Sequence, residues 1–369
     1  VSLYFLQISN GDLLKLVIYR IALCTVIPII FYFTGNIGKS NKRIWLLRSG
    51  MIATMIYFIT ILILGHKMSE YYILMGLIFG LREGLYWSCF NIFEYEGVEK
   101  SERRSFLGLY TILKNILGIL FPIIFGGIIY SNSFWTGTLV MTIFTILGFI
   151  ASMMYKDKKH ENEGKFDIKT LLNIQFKDTN LLYVCIYHIF TGMIYSTAGF
   201  KLLADVYILS IFNDSISAGW ITAVQSLVSC ILGVLIIKVL KTSRRMKLIN
   251  NMCSILMIIV LILLIFTPTN STVILFYFAF GMYKDIESNI DGIICNNVVN
   301  ISDILRTHKS EYSFLSDSWL YIGRILGYLV LILYALRANT IFIALFIIPI
   351  LGIMIIFNIL LGDKRDIFE

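Results

Sequence analysis

Apolar residues dominate this chain in runs of about 20, separated by short polar turns. A helix needs about 20 apolar residues to cross a bilayer's hydrocarbon core. Eleven such runs are drawn, near 13–34, 44–65, 70–93, 105–130, 134–155, 181–203, 215–238, 246–267, 271–298, 312–336 and 339–361. The pattern predicts an all-α membrane protein. The longest polar stretch, about 156–180, holds too little apolar sequence to bury a core and reads as a linker loop.

The pattern also nearly repeats after about 200 residues. Tyr4–Asn10 (YFLQISN) has a counterpart in Tyr207–Asn213 (YILSIFN), and Ser40-Asn41-Lys42 in Ser243-Arg244-Arg245. Ser105-Phe106-Leu107 leads to Ile116-Leu117-Gly118 as Ser313-Phe314-Leu315 leads to Ile325-Leu326-Gly327. Two like halves are expected: a bundle over 1–155, a linker at 156–180 and a second bundle over 181–369. The repeat partner of the span at 181–203 falls upstream of Val1. Val1–Gln7 is therefore read as the remnant of a first helix, and the intact protein is expected to have twelve spans in two bundles of six. Membrane proteins built from repeated halves commonly rock one half against the other around a midplane site.

Composition agrees: 58% of residues are apolar and 15% charged, with a mean hydropathy of +0.81. Soluble domains carry nearer 25% charged residues. The net charge of +8 does not imply nucleic acid, because its basic residues fall in alternate loops. One set holds Lys39, Lys42, Arg43, Arg48, Lys100, Arg103, Arg104, the lysines of 156–177, Lys238, Lys241, Arg244, Arg245, Lys247, Arg306 and Lys309, with Lys364 and Arg365 in the tail. The opposite loops hold Lys67 and Arg337. The positive-inside rule places the first set, and the termini of the intact chain, in the cytoplasm. The AT-rich flavour of the composition (Ile, Lys, Asn) suggests a bacterial cytoplasmic membrane. Cys24, Cys89, Cys185, Cys230, Cys253 and Cys295 sit singly in apolar segments, as small packing residues rather than disulfides. No metal-ligand spacing is present.

Two six-helix halves, a basic central loop and cytoplasmic termini resemble the major facilitator superfamily (MFS) of secondary transporters. The turn Gly35–Arg43 has the Gly and the basic end, with Lys42 and Arg43, of that family's motif after helix two. Lys39 stands where an Asp is expected, which puts the usual latch of the closed cytoplasmic face in question. Glu83-Gly84 matches part of the family's helix-four motif; Gly80 takes the Arg position and Arg82 is a substitute. Glu96 and Arg103 have the family's acid-to-Arg spacing before helix five, with Arg104 following, and imply a gate; a solvated loop is the plain alternative. In helix five, Pro122, Gly126 and Gly127 approximate the antiporter element. That element implies export, against a plain role in helix packing.

Ionisable residues inside spans are costly and mark cavities or mutual pairs. The candidate cavity set is Arg20, Arg82, Glu83, Trp87, Asn91, Lys114, Asn115, His188, Lys284, Asp285, Glu287, Asp291 and Arg324. Glu83, Trp87 and Asn91 share a helix face, as do Lys284, Glu287 and Asp291. The repeat sets Glu83 opposite Lys284, and Lys114 with Asn115 opposite Arg324. Tyr86, Trp87 and Phe90 are read as cavity walls. Glu83 and the acids Asp285, Glu287 and Asp291 are the candidate proton carriers, with Arg82–Glu83 as a fixed structural pair the plain alternative for Glu83. His188 is a lesser carrier candidate.

The expectation is a monomeric transporter working by alternating access, moving a small organic solute or drug, with proton-coupled efflux as the leading reading. A proton- or cation-coupled uptake symporter is the alternative, and a non-transporting sensor or immunity protein the alternative of another class. No nucleotide-binding GxxxxGK[ST] loop is present, so an ion gradient, H⁺ first, is the expected energy source, with no cofactor or metal. A membrane enzyme would need a catalytic motif in a long loop, and the outer loops are short.

Overall fold

In a computed structural model, residues 5–6, 8–9, 11–40, 42–96, 113, 116–121, 123–129, 133–154, 166–194, 202, 220–221, 223–228, 243–301, 308–336 and 339–363 are described. Among them there is no strand. The labelled helices are α1 (Leu13–Gly38), α2 (Ile44–Leu64), α3 (Tyr72–Glu96), α4 (Phe134–Met154), α5 (Ile168–Lys177), α6 (Thr179–Ile194), α7 (Ser243–Phe266), α8 (Asn270–Ile301), α9 (Lys309–Ala335) and α10 (Asn339–Asp363). Residues 116–121, 123–129 and 223–228 are also helical. Six helices among the described residues are long and apolar enough to cross a membrane.

Most of these helices run where the apolar pattern places them, because in lipid only a helix satisfies its own backbone. The outward faces are apolar too: Phe33, Ile56, Ile63, Phe144, Leu147, Ile150 and Ile259 are exposed. The stretch at 156–180 departs from the loop reading, since α5 occupies its second part. Asp167 caps that helix by accepting from the Thr170 N–H. Ile168, Leu171, Leu172 and Gln175 then recur at helical spacing, with Leu171 and Gln175 buried.

Two close helix crossings organise the molecule. On α3, Gly76, Gly80 and Gly84 lie against α1; a Cβ on Gly80 would stand 2.6 Å from the Leu23 carbonyl oxygen. On the other side Gly192 of α6 meets Gly323 of α9, and a Cβ on either would overlap the opposing backbone. Without a hydrophobic drive between helices in lipid, close contact of this kind supplies the packing. Gly323→Val is therefore expected to destabilise the protein by about 1–3 kcal/mol, read as a fall in the thermal unfolding midpoint in detergent.

The two assemblies meet where α1 packs against α9. Phe31 of α1 lies 5.5 Å from Phe314 and 6.1 Å from Tyr321 of α9, measured between ring centroids. A second contact joins Ser226, whose hydroxyl donates to the Gly118 carbonyl at 3.2 Å.

Candidate functional site

The seam between α1 and α9 has a polar end and a polar middle. At the end, the Lys39 ammonium donates to Glu311 Oε1 at 2.5 Å, with the Glu311 side chain 0% exposed. Position 39, where the sequence departs from the family's Asp, thus carries the cation of a buried ion pair across the seam, and the acid comes from the first turn of α9. The linker joins the same contact. The Asp167 N–H donates to Glu311 Oε1 at 3.1 Å, and the Phe166 N–H to Asn36 Oδ1 at 3.1 Å. The Phe166 ring fills the space that a Cβ at Gly35 would need and lies 5.2 Å from Phe314. Further along α5, Trp319 Nε1 donates to Gln175 Oε1 at 3.2 Å. Phe166, Glu311, Gln175 and Trp319 were not among the candidates that the sequence offers, and Phe314 entered only as part of the repeat. The helical spacing of Ile168, Leu171, Leu172 and Gln175 after Asp167 is the signal that could have found this segment.

Of the other gate candidates, Arg43 is buried and Lys42 is exposed. The side chain of Glu96 lies outside the described residues, as do Arg103 and Arg104.

Asp167 sits outside the membrane spans. Its carboxylate accepts from the Thr170 hydroxyl at 2.6 Å and from the Thr170 N–H at 3.1 Å, which lowers its pKa below the ordinary value. A lowered carboxyl pKa favours the folded cap above the usual carboxylate range, and the contribution fades as pH falls through the lowered value. Asp167→Ala is expected to raise amide exchange selectively in the first turn of α5, and acidification should weaken the same protection in the wild type.

In the middle of the molecule, the acid of α3 finds local partners. Glu83 is paired with Arg82 and accepts from Trp87 Nε1 at 2.7 Å. Arg82 also donates through Nε to Thr54 Oγ1 at 3.1 Å and lies over the Phe79 ring at 5.0 Å. Glu83 thus meets its chain neighbour Arg82 rather than a residue of the other half. Tyr86, Trp87 and Phe90 form one aromatic cluster, with Tyr86 and Phe90 stacked at 6.0 Å.

Arg20 lies on α1 and Arg324 on α9, the two helices that form the seam. Both lie within electrostatic reach of Cys24 and Tyr328. Each guanidinium lies over a tyrosine, Arg20 over Tyr19 at 5.7 Å and Arg324 over Tyr321 at 4.4 Å. Pro28 brings no N–H to the Cys24 carbonyl four residues earlier, which leaves a backbone acceptor beside this place. Tyr19 and Tyr57 share a hydrogen bond at 3.0 Å below it.

The third centre belongs to α6 and α8. Glu287 is 1% exposed, and its Oε1 accepts from the Tyr187 hydroxyl at 3.0 Å and the Thr191 hydroxyl at 2.9 Å. His188 is buried beside Tyr187, their rings 6.0 Å apart. Lys284 is half-buried one turn before Glu287. For Asn91, Asp285 and Asp291 only the helical backbone is described, and Lys114, Asn115 and Pro122 lie outside the described residues. Gly126 is buried, and a Cβ added at Gly127 would meet nothing within 4 Å. No His, Cys, Asp and Glu group suited to a metal occurs among the described residues.

Long apolar helices and a seam joined at one end by a buried ion pair mark a multi-pass membrane protein. The chain belongs to the Major Facilitator Superfamily, whose family model matches residues 16–328. That family consists of transporters rather than enzymes. The chain is 27% identical over 227 residues to the uncharacterized protein YqgE of Bacillus subtilis (strain 168), an alignment covering 61% of this chain and 52% of the relative. It is 32% identical over 127 residues to an uncharacterized protein from the sodM 3′ region of Geobacillus stearothermophilus, covering 34% and 59% respectively. The chain thus spans between half and three-fifths of these curated relatives. In fold it is similar to the human organic anion transporter MFSD10 (TETRAN), with a TM-score of 0.64 over 93% of this chain and 83% of that one. At 10% identity this likeness concerns the fold alone.

Proposed function

We propose that the protein is a secondary active transporter that moves a small organic solute by alternating access, as a monomer, with proton-coupled efflux across a bacterial cytoplasmic membrane. The observation that carries this reading is the buried Lys39–Glu311 pair. It ties α1 to α9 at one end of the seam, while Arg20 and Arg324 stand deeper along the same two helices. At 1.5 Å per residue, Arg324 stands about 20 Å along α9 from Glu311. A latch at one face and a polar centre at mid-depth are what two-sided access requires: the latch must part for the solute to leave or enter on that side.

The basic loops put the latched face in the cytoplasm, so this conformation is closed toward the cytoplasm. The halves that rock are the bundles 1–155 and 181–369. Glu287 is the proton carrier that the surroundings favour. Its two hydroxyl donors bridge α6 to α8, so gain or loss of a proton there changes how those helices are held together. Export rests on the Pro122, Gly126 and Gly127 element. The test is solute flux in proteoliposomes under an imposed pH gradient. Efflux driven by inward proton flow supports the proposal. Accumulation driven by inward proton flow replaces efflux with uptake, and no gradient-driven flux of any solute in a screen overturns the transporter reading.

A further inference from the structure

We propose that α5 is a strap carried by the second bundle, and that it holds the ion-paired end of the seam shut through one releasable hook, the Phe166 ring in a socket on α1; this rests on the alternating-access reading above. The second moving body then begins at Phe166 rather than at 181.

Toward the second bundle the hold is continuous. α5 packs on α6 and α9. Leu171 is buried, and Ile168, Leu172 and Ile174 pack against the core. Gln175 is buried and accepts from Trp319, whose ring also meets the Phe176 ring edge-on at 6.1 Å. A single residue, Asp178, separates α5 from α6. Its N–H donates to the Ile174 carbonyl at 3.1 Å and closes α5. Its carboxylate accepts from the Asn180 N–H at 2.8 Å and opens α6. With no slack between the two helices, α5 goes where α6 goes, as packed elements move together in a rigid-body change.

Toward α1 the strap reaches with its first residue. The Phe166 N–H donates to Asn36 Oδ1, and the Phe166 ring occupies the place of the side chain that Gly35 lacks. The next residue already belongs to the other side: the Asp167 N–H donates to Glu311 of α9, on the same oxygen that takes the Lys39 ammonium. Parting α1 from α9 therefore breaks the Phe166 contacts together with the Lys39 pair, and leaves Asp167 on Glu311. One ring and one hydrogen bond make a contact that local opening can release while the packed length of α5 stays in place.

Amide hydrogen exchange of the full chain in lipid nanodiscs, resolved at residue 166 and across 171–177, tests both halves of this proposal. In Gly35→Ala the new methyl overlaps the Phe166 ring. The ring is the free end of a side chain and can swing out, so the fold survives. Exchange at 166 is expected to rise about tenfold or more, while 171–177 stays within about twofold of wild type. In a Phe166→Ala background, Gly35→Ala should add less than about twofold, because no ring is left to expel. Lys39→Ala leaves Gly35 and Asn36 in place, yet it frees α1 from Glu311 and should also speed exchange at 166 and spare 171–177. Unchanged exchange at 166 in either single variant overturns the hook, as does an equal effect of Gly35→Ala with and without the Phe166 ring. Exchange that rises across 171–177 as much as at 166 overturns the strap's attachment to the second bundle. Exchange does not require transport. The expected pattern without gradient-driven flux in the wild type therefore overturns the transporter reading alone, and gradient-driven flux without the pattern overturns the strap alone.

Discussion

Glu311→Ala is expected to destabilise the protein by about 3–5 kcal/mol and to slow transport at least tenfold. The loss of a partner from a buried ion pair leaves the other charge uncompensated, which accounts for the size of the effect. Lys39 is 7% exposed and has its ammonium on the lost carboxylate. The Asp167 N–H loses its acceptor in the same step. Because the pair spans the seam, its removal also acts on the balance between states: a shift of about 3 kcal/mol changes their ratio by more than a hundredfold. The reversed double variant, Lys39→Glu with Glu311→Lys, restores opposite charges and should recover much of both losses. Thermal unfolding in detergent and flux in proteoliposomes, arranged as a double-mutant cycle, read the coupling. Additive effects of the two single variants would remove the latch from the mechanism.

Glu287→Gln should separate transport from its energy source. The amide oxygen can still accept from Tyr187 and Thr191, so stability should stay within about 1 kcal/mol of wild type. What the amide lacks is an exchangeable proton and a charge. Uphill efflux under a pH gradient is expected to fall at least tenfold, while solute exchange at equal pH persists. Glu83→Gln serves as the contrast. It takes the anion from Arg82 and should act first on stability. Gradient-driven efflux at the wild-type level in the Glu287 variant would assign coupling to another group.

Hydropathy made the long helices legible because lipid leaves the backbone no other choice. α1, α2, α4 and α10 begin where the apolar runs begin. α5 escaped because 156–180 was weighed as a whole: its polar first part masked Ile168, Leu171 and Leu172. Lys39 stood out in the sequence as the wrong charge in a known turn, but its partner did not. Glu311 lies far along the chain, just before the apolar run at 312–336, where an acid looks like an ordinary helix-end residue. Among Asp285, Glu287 and Asp291, spacing alone offered no choice. The hydroxyls of Tyr187 and Thr191, on another helix, are Glu287's partners, and the side chains of Asp285 and Asp291 lie outside the described residues. The repeat set Glu83 opposite Lys284, yet Glu83 is held by its chain neighbour and by Trp87 one turn on. Local chemistry decided its partners. The packing of α1, with Arg20, against α9, with Arg324, is a matter of helix crossing, which no one-dimensional pattern contains.

The aromatic contact at the latched end has a thermal consequence. Phe31 and Phe314 are each 1% exposed, and Phe166 is wedged between Gly35 and Phe314. Parting α1 from α9 there wets several ring faces at once, and hydration of apolar surface raises heat capacity. If that parting limits turnover, the barrier's enthalpy must itself change with temperature. The rate should then follow a curved Arrhenius line, and Phe166→Ala, with less ring surface to wet, should straighten it.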